Sequence, residues 1–398
     1  MNTFSEIRHR FENKREEWQM AYIISDDAKE LLKDVKEFCE KEVKEQVKEY
    51  DISGEWPKEI YDKAIEMQLH MMDVPEQYGG LGLSHVDQAA IVEEIGRTDA
   101  GVAVTLNGNG LSLKPVLISG TEEQKQKCCD IIINGGWGAF ALTEPDAGCD
   151  AGNCKTTAVR DGDEYILNGR KCFITSAQVA DFFVVTAMTN KQFGTKGMSA
   201  FLVYKGTPGL SVGKHENKMG IRTSVTSDVL LEDVHIPVEN RLGEEGTGFY
   251  TAMKTLDLAR MWCAVIGVGL SQRCIDEAAV YAQQRITFGK PIWKHQAIQF
   301  KLADMQIRTE AARQLCAHAI TLSDMGRPFT VEASCAKAFA GDSAVQNAVE
   351  AIQILGGYGY SREYPVEKLL RDAKIFQIFE GTNEVQRMVI GRSVIANH

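Results

Sequence analysis

The sequence predicts an α+β protein in which a helical N-terminal region, a β-rich middle region and a helical C-terminal region follow one another. Three observations support this prediction. Apolar residues recur at helical spacing up to about Gly135, strand-like runs rich in Thr, Val and Ile continue to about Gly248, and long periodic segments nearly free of Pro follow. The chain has 398 residues, which exceeds the size at which one hydrophobic core usually keeps growing, so we expect more than one packed domain.

The N-terminal region is predicted to be helical from Asp26 onward. Between Asp26 and Tyr50, apolar residues recur at helical spacing among Lys and Glu, which is typical of an amphipathic helix. Similar patterns predict helices at Pro57–Met67, where Pro stands at the helix start, and at Val86–Gly96. We therefore predict an N-terminal α-helical domain over residues 26–136, preceded by a charged extension over residues 1–25.

The middle region, residues 137–248, is predicted to be a β domain. Its composition shifts toward Thr, Val, Ile and Gly, and turn signals such as Arg160–Asp163 separate short strand-like runs. The predicted strands are Trp137–Thr143, Glu164–Leu167, Phe182–Ala187, Ser199–Val203 and Ser227–Leu231.

The C-terminal region, residues 249–398, is predicted to be a helical bundle domain. Its periodic segments are each much longer than a strand, and they span Phe249–Gln284, Gln296–Asp324 and Val331–Gly356. The order of the chain is therefore helical, β and helical.

Charge and cysteine spacing exclude two classes of site. The net charge of -11 argues against nucleic-acid binding, which needs clustered Lys and Arg to displace counterions from phosphates. The ten cysteines include the close pairs Cys128 with Cys129 and Cys149 with Cys154, but neither pair has the spacing of a zinc site. We expect free thiols and no bound metal.

The N-terminus and the hydropathy of the chain bear on its location. The first twenty residues mix acidic and basic side chains without an apolar centre, unlike a secretory or transit signal. No apolar run approaches the length of about 18 residues that a membrane span requires. We predict a cytoplasmic protein without a membrane span.

Two motifs of the β region are ambiguous when they are considered singly. The segment ALTEPDAGCD (Ala141–Asp150) is a turn signal, but such loops also expose backbone N–H groups and hydroxyls that can hold a flavin or a pyrophosphate. Within LNGRKCFITSAQVAD (Leu167–Asp181), Phe173 is either a core aromatic or a ring that stacks beside a flat heterocycle.

Three further blocks of sequence decide between these interpretations. Lys218–Arg260 ends in LDLAR. Tyr281–Met305 contains RITFG, and Gln353–Arg387 contains IFEGTNE. Together with the two motifs above, in this order and spacing, they resemble the acyl-CoA dehydrogenase family from about Asp26 to Arg392, and its short/medium-chain, butyryl-CoA dehydrogenase-like members in particular. The resemblance implies the acyl-CoA dehydrogenase fold: an N-terminal helical domain, a middle β-barrel or sandwich domain and a C-terminal four-helix bundle. It also implies FAD between the β domain and the bundle, and a homotetramer in which a neighbouring subunit completes the FAD site.

The resemblance also implies which residues contact FAD. They are Thr143, Cys149, Phe173, Thr175, Arg285, Thr287, Phe288, Gln353, Gly357 and Thr382. Family members generally have Ser where this chain has Cys149, and a thiol is the weaker hydrogen-bond donor. Arg285 is otherwise a solvated helix charge, but an anionic pyrophosphate favours a cation beside it. No contact is transferred to Glu384, where a relative carries Gln.

A second group of positions is implied to bind the substrate. Asp257 and Arg260 match residues that hold the CoA moiety, and the alternative for them is a salt bridge within a helix. Cys149 and Gly381 are assigned to the substrate as well. Asn107 matches the far end of the acyl pocket, where medium-chain relatives carry an acidic residue, and Trp262 stands on a wall helix where relatives have smaller residues.

These two positions suggest a short-chain or compact acyl group, with branched, cyclic and aryl groups as alternatives, because a large ring shortens or flattens a cavity. The alternative for Trp262 is that it faces another helix as part of the core.

The resemblance assigns Glu380, in IFEGTNE, as the base that removes the α-proton of the thioester. A free Glu has a pKa of about 4.3 and is a poor base for so weak an acid. Burial raises the pKa of the base, and hydrogen bonds to the thioester oxygen stabilise the enolate. The alternative is an exposed carboxylate at the start of a loop. A minority branch of the family keeps its base on the LDLxR helix, but this chain has Ala259 there.

The implied activity is FAD-dependent α,β-dehydrogenation of an acyl-CoA, as in fatty acid metabolism, with electrons passed to electron-transferring flavoprotein. The same residues would serve an enoyl-CoA reductase, including one acting on an aryl-acrylyl-CoA, that runs the reaction in reverse. A third alternative is a flavin-binding scaffold without catalysis, against which the presence of Glu380, Arg260 and Arg285 argues.

Overall fold

The computed structural model describes residues 22–397 of the chain. Most of the predicted N-terminal extension, residues 1–25, lies outside the described residues. Ser25 caps the first helix, because its side-chain oxygen accepts a hydrogen bond from the backbone N–H of Ala28.

The N-terminal region is helical, as predicted. Its helices are α1 (Asp26–Phe38), α2 (Lys44–Ser53), α3 (Lys58–Glu66), α4 (His85–Thr98), α5 (Ala100–Ser119) and α6 (Glu122–Ile133). The predicted helix Asp26–Tyr50 is interrupted by a π-helical segment, Cys39–Val43, and ends at Ser53 before the left-handed Gly54. Asp99 separates α4 from α5 and caps α5 through the N–H of Val102.

The middle region forms one mixed sheet of eight strands. They are β1 (Gly138–Ala141), β2 (Thr157–Asp161), β3 (Glu164–Thr175), β4 (Phe182–Met188), β5 (Met198–Tyr204), β6 (Leu210–His215), β7 (Thr226–Pro237) and β8 (Arg241–Leu242). Their order is β6-β7-β3-β2-β4-β5-β8, with β1 paired in parallel to β4. The predicted end of β3 at Leu167 is wrong, since the strand continues to Thr175, and β2, β6 and β8 were not predicted.

The C-terminal region contains the longest helices. These are α7 (Gly248–Gln284), α8 (Gln296–Asp324), α9 (Thr330–Leu355), α10 (Val366–Ala373) and α11 (Asn383–Ala396), and a two-stranded ribbon, β9 (Ile286–Thr287) with β10 (Lys290–Pro291), follows α7. The middle of α7 is buried continuously from Ala259 to Ser271. Such a helix occupies the centre of a helical core, and α4, α5, α8 and α9 pack around it.

Among residues 22–397, no helix is both long enough and apolar enough to cross a membrane.

Candidate active site

A cavity lies between α5, the first half of α7 and the turn that precedes α11. Residues at helical spacing on two helices supply its walls, so each helix presents one face to the cavity. From α5 these are Val104, Asn107, Gly108, Gly110, Leu111 and Lys114, and from α7 they are Thr255, Leu258, Ala259, Trp262, Cys263 and Ile266. Thr175 at the end of β3, Phe379 and Glu380 complete the lining.

Glu380 lies in the turn before α11 and is partly buried rather than exposed at a loop start. Its Oε2 atom is shielded from solvent and has no hydrogen-bond partner among the described residues. Burial raises the pKa of the Glu380 carboxyl, although the charges of Lys337 and Arg260 act to lower it. A carboxylate with a raised pKa and a free oxygen on a cavity is suited to accept a proton.

The backbone of this turn is unusual, because Glu380 and Gly381 both have positive φ angles of 55° and 83°. The left-handed region is costly for a Glu and must be held by the surroundings. The side-chain amide of Gln386 donates to the carbonyls of Glu380 and Gly381 at 3.1 and 3.0 Å, and Lys337 Nζ donates to the Gly381 carbonyl at 2.8 Å. Sequence reasoning missed Lys337 and Gln386.

Asn107 and Trp262 both line the cavity, as expected for residues of an acyl pocket. Asn107 donates its amide to the Ala103 carbonyl. Trp262 belongs also to the main hydrophobic core, and its ring edge meets His85. The indole N–H has no partner among the described residues. Trp262 is therefore both a core residue and a wall of the cavity.

Asp257 and Arg260 form an ion pair of 2.6 Å within α7, and neither belongs to the cavity lining. Asp257 also accepts a hydrogen bond from Thr330 at 2.7 Å, which ties α7 to α9. The salt bridge that sequence reasoning considered as the alternative is thus present. A contact of these residues with CoA remains a prediction.

Two of the expected flavin neighbours of the β region, Cys149 and Thr175, lie near the turn that precedes α11. Cys149 is exposed, with its sulfur 3.9 Å from the hydroxyl of Thr382, and Thr175 lines the same cavity as Glu380. Phe173 is 64% exposed at a φ of 57°, so it is not a core residue. An exposed aromatic ring two positions before Thr175, on a backbone with a positive φ, fits a planar cofactor that would cover it.

A buried ion pair fixes the loop that carries Thr143. Lys171 Nζ is 2.7 Å from Glu144 and donates to the carbonyl of Leu142, while the Thr143 carbonyl accepts from the N–H of Cys172. Although burial acts to raise it, the Lys171 ammonium lowers the pKa of Glu144 to about 2. The loop is therefore anchored on both sides of Thr143.

The remaining predicted FAD residues form a second group at the other end of α7. Arg285, Thr287, Phe288 and Gly357 line a separate cavity with Tyr281 and Tyr358, whereas Gln353 is exposed and outside its lining. Arg285 stacks on Tyr358 at 5.9 Å and has no carboxylate partner within residues 22–397. Tyr281 and Ala259 are about 33 Å apart along α7, at a rise of about 1.5 Å per residue. The second group is thus remote from Glu380 of the same chain, although its open cavity and unpaired cation fit an anionic ligand.

Known families match the chain over three consecutive ranges. Residues 25–136 match the acyl-CoA dehydrogenase N-terminal domain, residues 139–234 its middle domain and residues 246–395 its C-terminal domain.

Individual relatives agree with these matches over nearly the whole chain. The short-chain specific acyl-CoA dehydrogenase of Megasphaera elsdenii is 45% identical over 94% of this chain and 100% of its own. The caffeyl-CoA reductase-Etf complex subunit CarC of Acetobacterium woodii is 45% identical over 92% of this chain and 98% of its own. The solved structure of butyryl-CoA dehydrogenase from Megasphaera elsdenii superposes with a TM-score of 0.91 at 44% identity, covering 94% of this chain and 99% of that one. The chain therefore belongs to the acyl-CoA dehydrogenase family of FAD-dependent oxidoreductases.

Proposed function

We propose that this protein dehydrogenates a short-chain or compact acyl-CoA to the 2-enoyl-CoA, with Glu380 as the base that takes the α-proton. The observation that supports this proposal most directly is the buried, unpartnered Oε2 atom of Glu380, a residue that lines the cavity. FAD, when bound, supplies the acceptor for the hydride that leaves the β-carbon. One proton and one hydride leave the substrate, so the reaction is balanced without a further reagent.

The protein groups around the cavity would orient the thioester and exclude water. The backbone N–H of Glu380 has no acceptor among the described residues and is available to the thioester oxygen, where negative charge develops. Ala259, Leu258 and Ile266 give the α7 wall an apolar surface without a second base. An apolar wall keeps the pKa of the base raised while the acyl chain is bound.

The experiment that tests this function is anaerobic titration of the yellow holoenzyme with a series of acyl-CoAs. We expect that butyryl-CoA or another compact thioester bleaches the flavin absorbance, because hydride transfer reduces the cofactor without an acceptor. The measurement is the flavin absorbance against thioester concentration. If no thioester bleached a protein that holds stoichiometric FAD, the proposed function would be wrong.

We propose electron-transferring flavoprotein as the electron partner, supported by the relative that is a subunit of a caffeyl-CoA reductase-Etf complex. The same relative favours a second candidate function, reduction of an enoyl-CoA by the same residues. Glu380 would then return a proton to the α-carbon. The two directions are separated by adding an enoyl-CoA to the chemically reduced holoenzyme and comparing the rate of reoxidation with that of acyl-CoA oxidation.

We propose further that the protein is a cytoplasmic homotetramer, the assembly typical of the family. The separation of the two groups of predicted FAD residues along α7 supports a shared site. Arg285, Thr287, Phe288 and Gly357 would serve the FAD of a neighbouring subunit, and Gln353 would join them there. Phe288 is 95% exposed within one chain, which is costly for a large apolar ring unless another surface covers it.

Trp262→Ala is expected to broaden the range of acyl chains that bleach the flavin. Removing the indole enlarges the cavity beside Ala259 and Ile266, so longer or bulkier thioesters should gain about 10-fold or more in kcat/KM relative to butyryl-CoA. The measurement is kcat/KM across an acyl-CoA series. The matched control is Trp293→Ala, which removes a partly exposed indole outside this cavity and should leave the series unchanged. An unchanged profile for Trp262→Ala would show that the ring does not limit the substrate.

A further inference from the structure

A fully buried lysine, Lys337, contacts the turn that carries the proposed base. Lys337 is 0% exposed on α9, where its neighbours in sequence are small residues: Ala333, Ser334, Ala336, Ala338, Ala340 and Gly341. Small residues let α7, α10 and α11 approach α9 closely. A single ammonium in such a segment is expensive to bury, so its retention needs a local explanation.

The contacts of Lys337 lead to the turn that carries Glu380. Its Nζ atom donates to the carbonyl of Gly381 at 2.8 Å and to the Oδ1 atom of Asn383 at 2.9 Å. Asn383 is in turn fixed by hydrogen bonds to the Ala338 carbonyl and to Asp342. The ammonium on α9 therefore restrains the left-handed Glu380–Gly381 turn through these hydrogen bonds.

Both hydrogen-bond acceptors of Lys337 are neutral, so they do not compensate its charge, and burial lowers the pKa of its ammonium. On α9, Asp342 is engaged by Arg387 of α11 at 2.7 Å. On α7, Arg260 is paired with Asp257, and the thiol of Cys263 has its pKa raised by burial to about 12, so it stays neutral.

Two carboxylates lie near the N-terminus of α11. Glu384 is exposed to solvent, which screens its charge, whereas Glu380 is partly buried and has a free oxygen. Within residues 22–397, Glu380 is therefore the counter-charge that we consider for Lys337, because its charge acts to raise the pKa of the ammonium against the effect of burial.

We infer that Lys337 is a positioning residue for the base, holding the Glu380–Gly381 turn and supplying the charge that keeps Glu380 ionised before proton abstraction. This inference rests on the proposed function, in which Glu380 must be a carboxylate when the thioester arrives. Burial alone favours the protonated acid, which cannot accept a proton. Lys337 opposes that effect from the side of α9, without occupying the cavity.

The test compares Lys337→Gln with Lys337→Arg in the FAD-loaded protein. Gln keeps a side-chain N–H for the carbonyl of Gly381 but removes the charge, whereas Arg keeps the charge. We expect the acid limb of the pH profile of flavin reduction to move upward by about one pH unit in Lys337→Gln and by much less in Lys337→Arg, since a nearby opposite charge shifts a carboxyl pKa by about 1–3 units. Lys374→Gln, an exposed lysine shortly before the turn, is the control and should not move the limb.

A second readout does not depend on turnover. The protonation of Glu380 is followed by infrared difference spectroscopy of the carboxyl stretch against pH, with Glu380→Gln as the blank. We expect a higher midpoint in Lys337→Gln than in the unaltered protein. An unchanged midpoint, or a Glu380 that is already protonated at neutral pH in the unaltered protein, would overturn the inference. Neither outcome depends on which thioester bleaches the flavin, so failure of the proposed function is recognised separately.

Discussion

Glu380→Gln is expected to abolish the bleaching of the flavin by every acyl-CoA while the purified protein stays yellow. The amide has nearly the same shape as the carboxyl group but cannot take a proton, and a positioned general base contributes about 10²–10⁴-fold to a rate. We therefore expect the anaerobic reduction rate to fall by at least about 10²-fold. The measurement is single-turnover flavin reduction, with FAD content determined on the same samples.

The matched control for this variant is Glu384→Gln. Glu384 stands four positions later, in the first turn of α11, but its side chain is exposed and does not line the cavity. Its reduction rate should stay within about 2-fold of the unaltered protein, since exposed substitutions away from a site have small effects. Flavin reduction that persisted in Glu380→Gln would mean that another group is the base.

The sequence was sufficient to predict which residue is the base, but it did not predict the surroundings of that residue. IFEGTNE supplied Glu380 through the resemblance, and Ala259 removed the alternative base on α7. The left-handed pair Glu380–Gly381 was not predictable, because a positive φ at a Glu arises from tertiary restraints and not from local preference. Lys337 could have been noticed as a lone cation in a run of small residues, although its contacts with Gly381 and Asn383 required the fold.

The helices were predicted more accurately than the strands, for a physical reason. The predicted bounds of α8, Gln296–Asp324, are those observed, because a long helix repeats its apolar period many times. The second half of β3 was missed because Lys171 is a buried charge that breaks the alternation expected of a strand. The edge strand β6 buries no side chain fully, so it has no apolar face to detect.

A second buried charge cluster joins three distant parts of the chain. Lys368 on α10 is 2.6 Å from Asp99, between α4 and α5, and 2.5 Å from Asp372 on its own helix. Asp99 also accepts a hydrogen bond from the hydroxyl of Thr223, and Asp372 accepts one from the N–H of Ile221. The segment between β6 and β7 is thereby attached to helices of both ends of the chain.

Lys368→Met is expected to destabilise the protein by about 3–5 kcal/mol, because removal of one partner leaves the other buried charges uncompensated. Met has a length similar to that of Lys and fills the space of its aliphatic stem. The decrease in unfolding free energy therefore measures mainly the contribution of the charge. The measurement is the free energy of unfolding from denaturant titration of the holoenzyme. Lys374→Met is the control: it removes an exposed ammonium that donates to the amide oxygen of Gln377, and it should cost less than about 0.5 kcal/mol.

The loss of unfolding free energy in Lys368→Met should also depend on pH, and the pKa of Asp99 decides the direction of this dependence. Burial acts to raise the pKa of Asp99, but the Lys368 charge and its hydrogen bond outweigh burial and hold that pKa below its usual range. The stabilisation from a lowered carboxyl pKa is present above the unfolded value of about 3.9 and is lost as the pH falls through the folded value.

The difference in unfolding free energy between Lys368→Met and the unaltered protein should therefore be largest near neutral pH and shrink below about pH 5, as Asp99 and Asp372 of the variant take up protons. A difference that stayed constant from pH 7 to pH 4 would show that Lys368 stabilises the fold through packing of its stem and not through its charge.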